Sequence, residues 1–155
     1  MAGNIVRTEL PEQLYDAIEE IAERSGRDVA GVVAEMLEEA VKMRRVRGIV
    51  FADEFERREA KVGGTGLGVW EVIETYQHLD EDWNRFKGYY DWLGEDQLGA
   101  ALAYWRAYPD EINEMIRENE SWTQEKVWEA YPVTKPSWVP TEEDWKAAFD
   151  DQTKP

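Results

Sequence analysis

Carboxylates are the most numerous reactive groups in this chain of 155 residues, and few other groups stand ready to work with them. There is no cysteine, which removes disulfides, thiolate nucleophiles and the usual zinc clusters. His78 is the one histidine, which excludes most histidine-based metal sites and disfavours a Ser-His-Asp triad; at the end of a predicted helix it reads as an ordinary surface or capping residue. The acid pairs Glu71/Glu74 and Asp80/Asp82 could be offered as metal ligands, but on helices such pairs are solvated faces when no histidine or convergent pocket joins them. Gly64-x-Gly66-x-Gly68 lies between a short apolar strand and a helix, the arrangement that opens a phosphate cradle. Its spacing departs from G-x-G-x-x-G, no Lys-Ser/Thr follows, and nothing downstream alternates strand with helix. A tight turn is the better account. No catalytic residue, metal ligand or cofactor is assigned.

What remains is the chemistry of contact surfaces. The chain holds 34 acidic and 18 basic residues, a net charge of −16. Residues 1–47 contribute −3, residues 51–117 contribute −8 and residues 118–155 contribute −5. Global electrostatics therefore cannot hold the protein on DNA, and any DNA contact needs a local basic patch, presented twice by a dimer. Arg7, Arg27 and the run Lys42-Met43-Arg44-Arg45-Val46-Arg47 are the candidates. That run also suits a helix C-terminus, where cations offset the macrodipole. The acidic surplus elsewhere fits a basic protein partner or plain solubility.

These groups are positioned by three successive segments. In residues 1–47, the alternating stretch Asn4-Ile5-Val6-Arg7-Thr8-Glu9-Leu10 predicts a strand, ended by Pro11, which has no N–H for a ladder and suits the first turn of a helix. Leu14, Ile18, Ile21 and Ala22 share one face of a first helix. Ser25-Gly26 breaks it, and Asp28 is the predicted N-cap of a second helix with Val29, Val32, Val33, Met36, Leu37, Ala40 and Val41 on its apolar face. A lone strand and two amphipathic helices cannot satisfy the strand edge or bury both stripes within one chain.

Arg7-Thr8-Glu9-Leu10-Pro11-Glu12-Gln13-Leu14-Tyr15 resembles the strand-to-helix junction of the Arc/CopG-type ribbon-helix-helix family, and Ser25-Gly26-Arg27-Asp28-Val29 resembles its inter-helix turn. The resemblance implies an intertwined dimer whose paired strands enter the DNA major groove. Val6, Thr8 and Leu10 would then face the helices, and Ile5, Arg7 and Glu9 would read bases. Arg27 would add a basic contact, and the backbone N–H groups of Val29 and Ala30 would hold a phosphate. Glu9 can accept from cytosine N4 but is repelled by phosphate, and Asp28 sets a second negative charge beside the cradle. A ribbon serving only for dimerisation is the alternative.

Residues 48–117 begin with the apolar strand Ile49–Ala52, followed by a charged stretch from Asp53 to Glu59, then Ala60-Lys61-Val62 and the glycine run. Periodicity predicts a helix over 69–76, with Val69, Val72, Ile73 and Tyr76 on one face. It predicts another over 82–92, with Trp83, Phe86, Tyr89 and Tyr90 partly buried. A third starts near Gly94 and carries Leu98, Ala101, Leu102, Trp105 and Tyr108. Pro109 marks a restart before Ile112, Met115 and Ile116. The motifs Ile49-Val50-Phe51-Ala52-Asp53, Arg57-Arg58, Gly64-Thr65-Gly66-Leu67, Val69-Trp70-Glu71-Val72, Tyr90-Asp91-Trp92-Leu93, Gln97-Leu98, Ala100–Tyr104 and Tyr108-Pro109-Asp110-Glu111-Ile112 resemble, in order, the domain-of-unknown-function family numbered 433. That resemblance implies a small helical, helix-turn-helix-like domain of the kind found in antitoxins of prokaryotic toxin–antitoxin pairs, often beside a PIN-like ribonuclease toxin. A ribbon-helix-helix ahead of it is similar to a VapB-type antitoxin.

Residues 118–155 form an acidic, aromatic tail with Trp122, Trp128, Tyr131, Trp138, Trp145 and Phe149. Thr123 could cap a helix over 124–130, and Thr141 with Asp144 resembles a capping box. The proline-bearing stretch 131–140 should be extended. So many rings on so little secondary structure must pack on residues 48–117 or on a partner, where aromatics in pockets carry most interface energy.

The combined expectation is a mainly α protein in three parts, 1–47, 48–117 and 118–155. It is expected to be a non-enzymatic antitoxin, a homodimer or higher even oligomer, neutralising a PIN-like ribonuclease through its tail and repressing its own operon through operator DNA. The alternative is a ribbon-helix-helix transcription regulator without a toxin partner. No stretch approaches ~20 apolar residues and no signal-peptide pattern opens the chain, so a cytoplasmic protein without membrane contact is expected.

Overall fold

A computed structural model describes residues 4–54 and 57–135. It is mainly helical, with one two-stranded antiparallel sheet. The order is α1 (Glu12–Ser25), α2 (Val29–Arg45), β1 (Ile49–Glu54), β2 (Arg57–Val62), α3 (Val69–His78), α4 (Trp83–Tyr89), α5 (Glu95–Ala107), α6 (Pro109–Glu120) and α7 (Gln124–Ala130). The chain divides into two compact units, residues 1–113 and 114–155. No helix among the described residues is long and apolar enough to cross a membrane.

Helices α1 and α2 start and stop where the sequence says they should. Gly26, at φ 64°, closes α1 in the left-handed conformation that glycine adopts freely, and the Arg27 N–H reaches back to the Ala22 carbonyl at 3.0 Å. The Asp28 carboxylate accepts from the Gly31 N–H at 3.0 Å and caps α2. Ile18, Ala22 and Val32 bury their side chains where the helices meet, with Val29 and Val33 partly buried against them.

The predicted strand before α1 is absent from the single chain. Residues 4–10 form no ladder, and Val6, Thr8 and Leu10 are exposed like Ile5, Arg7 and Glu9. A strand needs a second edge to bond to, and among the described residues none pairs with residues 4–10.

That hairpin is longer than the apolar run predicted. β1 and β2 pair antiparallel from Ile49↔Val62 to Glu54↔Arg57, so the charged stretch after Ala52 is largely strand. Charge does not prevent this, because the strand charges bond one another. Arg58 donates to Asp53 at 3.0 Å and, from α2, Glu39 accepts from both Nε (2.6 Å) and Nη2 (2.9 Å) of Arg58. On the same strand Lys61 is buried between Glu54, at 2.5 Å, and Glu59, at 3.2 Å.

The glycine-rich turn after β2 bonds to itself and to Gly48. The Gly63 N–H donates to the Gly48 carbonyl at 2.7 Å, and a Cβ on Gly63 would lie 2.9 Å from that oxygen, so the approach requires glycine. Thr65 Oγ1 donates to the Val62 carbonyl and accepts from the Leu67 N–H. Lys61 Nζ donates to the Gly66 carbonyl at 3.2 Å.

Helices α3 and α5 pack on each other and on the hairpin, and α4 packs on α3. Glu71 accepts from the Gly68 N–H, and Gln97 from the Gly94 N–H, so both glycine-capped helices borrow their capping oxygen from the third helical residue. Val62, Val69, Val72, Ile73, Phe86, Ala101, Tyr104 and Ile112 are fully buried. Tyr89 departs from expectation: Trp83, Phe86 and Tyr90 share a helical face, and Tyr89 falls off it and is 61% exposed. Between α3 and α4, Asp80 and Glu81 both take left-handed backbone, at φ 58° and 56°, without glycine.

In the second unit, Thr123 caps α7 by accepting from the Lys126 N–H at 3.3 Å. Pro132–Thr134 then tightens into a 3-10 turn, where an extended path was expected. Proline pre-sets the helical φ at its first position, and Thr134 Oγ1 closes the turn on the Tyr131 carbonyl at 2.8 Å. The capping box at Thr141 lies outside the described residues.

Candidate functional site

The first candidate surface is the outer side of the α1–α2 pair with the segment before it. Leu14 and Ile21 flank the buried Ile18 and Ala22, yet both stay exposed. On α2, Leu37 is 62% and Val41 59% exposed, one turn and two turns beyond the partly buried Val33. Ile5 and Val6 are more open still, at 84% each. These side chains leave the helix pair with an exposed apolar stripe.

The polar residues predicted to contact DNA are arranged unevenly. Ile5, Arg7 and Glu9 are exposed on the segment ahead of α1. Arg27 is engaged: Nη1 donates to both Glu35 oxygens at 2.9 Å, and Nη2 to the Gly31 carbonyl at 3.3 Å. Among the described residues nothing accepts from the Val29 or Ala30 N–H groups, and the Asp28 carboxylate sits at that same helix end. An incoming phosphate there meets one fixed negative charge and one neutralised arginine.

The basic run at the end of α2 splits in two. Lys42 turns inward, bonding Glu38 at 2.7 Å and Glu111 of α6 at 2.8 Å, with its ammonium 5.3 Å from the Tyr108 ring centre and 5.8 Å from that of Phe51. Burial works against the Lys42 ammonium, but the Glu111 and Glu38 carboxylates outweigh it and raise its pKa. Tyr104 donates to the same Glu111 at 2.8 Å; its burial, then the Glu111 carboxylate, pushes its pKa far above the ordinary 10.0. Lys42 is thus a structural cation. Arg44 and Arg47 remain exposed beside it.

Groups that resemble enzymatic parts have other employment. Glu71 caps α3, Asp82 caps α4 by accepting from the Asn84 and Arg85 N–H groups at 2.8 and 2.9 Å, and Asp80 pairs with Arg85 at 2.7 Å. The glycine run's polar backbone is engaged too: the Gly63 N–H donates to the Gly48 carbonyl, the Gly63 carbonyl accepts from Gln97, the Gly66 carbonyl accepts from Lys61 and the Gly68 N–H donates to Glu71. His78 is exposed at the last position of α3.

The second candidate surface belongs to residues 114–135. Trp122 and Tyr131 are 47% and 59% exposed, while Trp128 is half-buried with Lys135 Nζ 5.8 Å from its ring centre. Trp138, Trp145 and Phe149 lie outside the described residues. Two exposed rings were missed by periodicity: Tyr89, and Trp92 just past the end of α4. The signal was present, since residue 89 lies about 90° from the centre of the 83–86–90 face. No protein-family model, no curated protein and no solved structure matches this chain.

Proposed function

We propose that this chain is the antitoxin of a prokaryotic toxin–antitoxin pair, dimerising through residues 1–47 and neutralising a PIN-like ribonuclease by direct binding. The observation that supports it best is the uncovered stripe of Leu14, Ile21, Leu37 and Val41 behind an exposed, alternating and unpaired segment. A second copy supplies what both lack: an antiparallel edge for residues 4–10 and an apolar face for the helices. In the dimer, Arg7 is presented twice from the ribbon. Neutralisation falls to the acidic, aromatic tail, whose carboxylates stand in for substrate phosphates while Trp122, Tyr131 and the later rings fill pockets. Operon repression follows if the ribbon reads an operator.

The test has two arms. Light scattering should give a dimer for the parent and a monomer or unfolded chain for Thr8→Pro, which removes a ladder donor, and for Leu37→Glu. A dimeric Thr8→Pro protein would refute the ribbon. Co-expression with the adjacent gene should rescue growth and yield a co-purifying complex, and deletion of residues 134–155 should lose most of that affinity. If no adjacent product binds, the chain is instead a ribbon-helix-helix regulator, and Arg7→Ala should still weaken promoter binding by about 1–3 kcal/mol per half-site.

A further inference from the structure

An aromatic platform at residues 83–92 takes no part in the proposed dimer or tail. Phe86 is fully buried, with ring centres of Tyr76, Trp83 and Tyr90 at 4.8, 5.9 and 5.7 Å. Tyr90 is held from beneath by a 3.1 Å hydroxyl contact with Thr75 and from the side by Phe86. It carries Tyr89 and Trp92 on its flanks, with ring centres 5.0 and 6.2 Å away. Those outer rings are 61% and 63% exposed, and the chain beyond them is pinned by the buried Leu93, whose N–H donates to the Tyr90 carbonyl at 3.0 Å. Two large rings are therefore offered to solvent on an ordered base, which removes much of the entropy cost of using them in a contact.

The surrounding charge selects the occupant. Residues 80–96 contain six acids and two bases. Both bases are already spent, Arg85 on Asp80 and Lys87 on Glu95. Glu81, Asp91 and Asp96 are exposed and make no ion pair among the described residues. Exposed rings, with the exposed Asp91 next to Trp92 in sequence, suit a planar cation that stacks and donates hydrogen bonds at once, which is guanidinium rather than ammonium. We propose that Tyr89, Trp92 and Asp91 form a docking surface for an arginine-bearing segment of a protein partner. Like charge disfavours two other occupants: residues 136–155 carry five acids and two bases, and nucleic acid is polyanionic. The proposal stands whether or not the partner is a toxin.

The experiment uses the full chain labelled with 5-fluorotryptophan, titrated with a short alternating Gly-Arg peptide and with its Gly-Lys counterpart. The Trp92 resonance is assigned by loss in Trp92→Phe. It should shift saturably with the arginine peptide while the Trp70 resonance stays in place. Trp92→Ala and Asp91→Asn should each weaken binding about three- to fivefold, and the lysine peptide should bind weaker by a similar factor. Both side chains are at the surface, so circular dichroism should be unchanged; were Trp92→Ala to unfold, Asp91→Asn and the Trp92 resonance would still decide. An unmoved Trp92 signal, unchanged affinity in the variants, or equal response to both peptides would overturn the proposal. So would a Trp92 shift produced by oligothymidylate or by raising the protein concentration alone.

Discussion

Residues 12–45 and residues 46–112 are both rich in amphipathic helix, yet they dispose of their apolar surface differently. The first region buries Ile18, Ala22 and Val32 and leaves Leu14, Ile21, Leu37 and Val41 outside. The second encloses Val62, Val69, Val72, Ile73, Phe86, Ala101, Tyr104 and Ile112 within the hairpin and helices that surround them. The difference lies in the number of layers and not in the quality of the periodicity. Two helices share one contact face, so their remaining stripes stay open until a third layer arrives. Hairpin, α3 and α5 supply that layer internally.

Replacing one large side chain in each region should expose this contrast. Phe86→Ala empties a fully enclosed site among three rings and should cost about 3–5 kcal/mol in urea unfolding. Leu37→Ala touches a side chain that is 62% exposed in one chain and should cost under about 0.5 kcal/mol at high dilution. At high protein concentration the same variant should lack the concentration-dependent stability that the proposed dimer would confer on the parent. Equal losses for the two variants at every concentration would erase the distinction.

A smaller effect tests the closed region through its titratable groups. Hydrogen bonding by Glu54, opposed by burial and aided by Glu59, raises the Lys61 pKa above 10.5; Lys42 is raised as well. Bases raised in the folded state stabilise it fully below the unfolded value and lose that stabilisation as pH climbs through the folded one. Burial raises the pKa of Tyr104 and Tyr90 above 10.0, so above that pH the unfolded chain ionises while the folded chain holds its protons. Both effects have the same sign. Unfolding free energy should be flat from about pH 7 to about pH 9 and fall above about pH 10. Tyr104→Phe should flatten the fall, as followed by urea titration at several pH values. Lys42 lies in the last turn of α2, so local opening of α1, read by proteolysis within residues 12–28, should change least.

A further small effect is a gain. Glu81 takes φ 56° without being glycine, straight after Asp80 at 58°. Glu81→Gly removes a left-handed penalty of about 1–2 kcal/mol and adds chain entropy to the unfolded state. A net stabilisation of about 0.5–1 kcal/mol should appear as a higher melting temperature.

Local grammar made much of this fold legible. Gly26, Asp28, Asp82, Gly94, Pro109 and Thr123 mark helix boundaries close to where they occur, because capping is decided within a few residues. The second hairpin strand was hidden, because its apolar and charged residues do not alternate simply and its charges are satisfied by Glu39 and Trp70, distant in sequence. The exposure of Tyr89 could be read from its angle around the helix against the burial that aromatic character suggests, whereas Trp92 lies past the end of α4, where no helical angle applies. Of the candidate contact residues, Arg7 and Glu9 are exposed on the segment ahead of α1, whereas the Arg27–Glu35 and Lys42–Glu111 pairs needed three dimensions to be seen.

Helix α2 is a shared wall. One side holds Val32 against α1, while Glu39 and Lys42 clasp the hairpin through Arg58 and the start of α6 through Glu111. The first 47 residues are therefore not a bead on a string. A chimaera that transplants α1 and α2 onto a foreign scaffold takes Glu39 from Arg58 and leaves Lys42 with Glu38 alone, and one that grafts a foreign helix pair onto residues 48–113 leaves Arg58 with Asp53 and Glu111 with Tyr104. Diversification of such a molecule must proceed by exchanging surfaces, since its modules cannot be shuffled at residue 47 without resetting both sides of the seam.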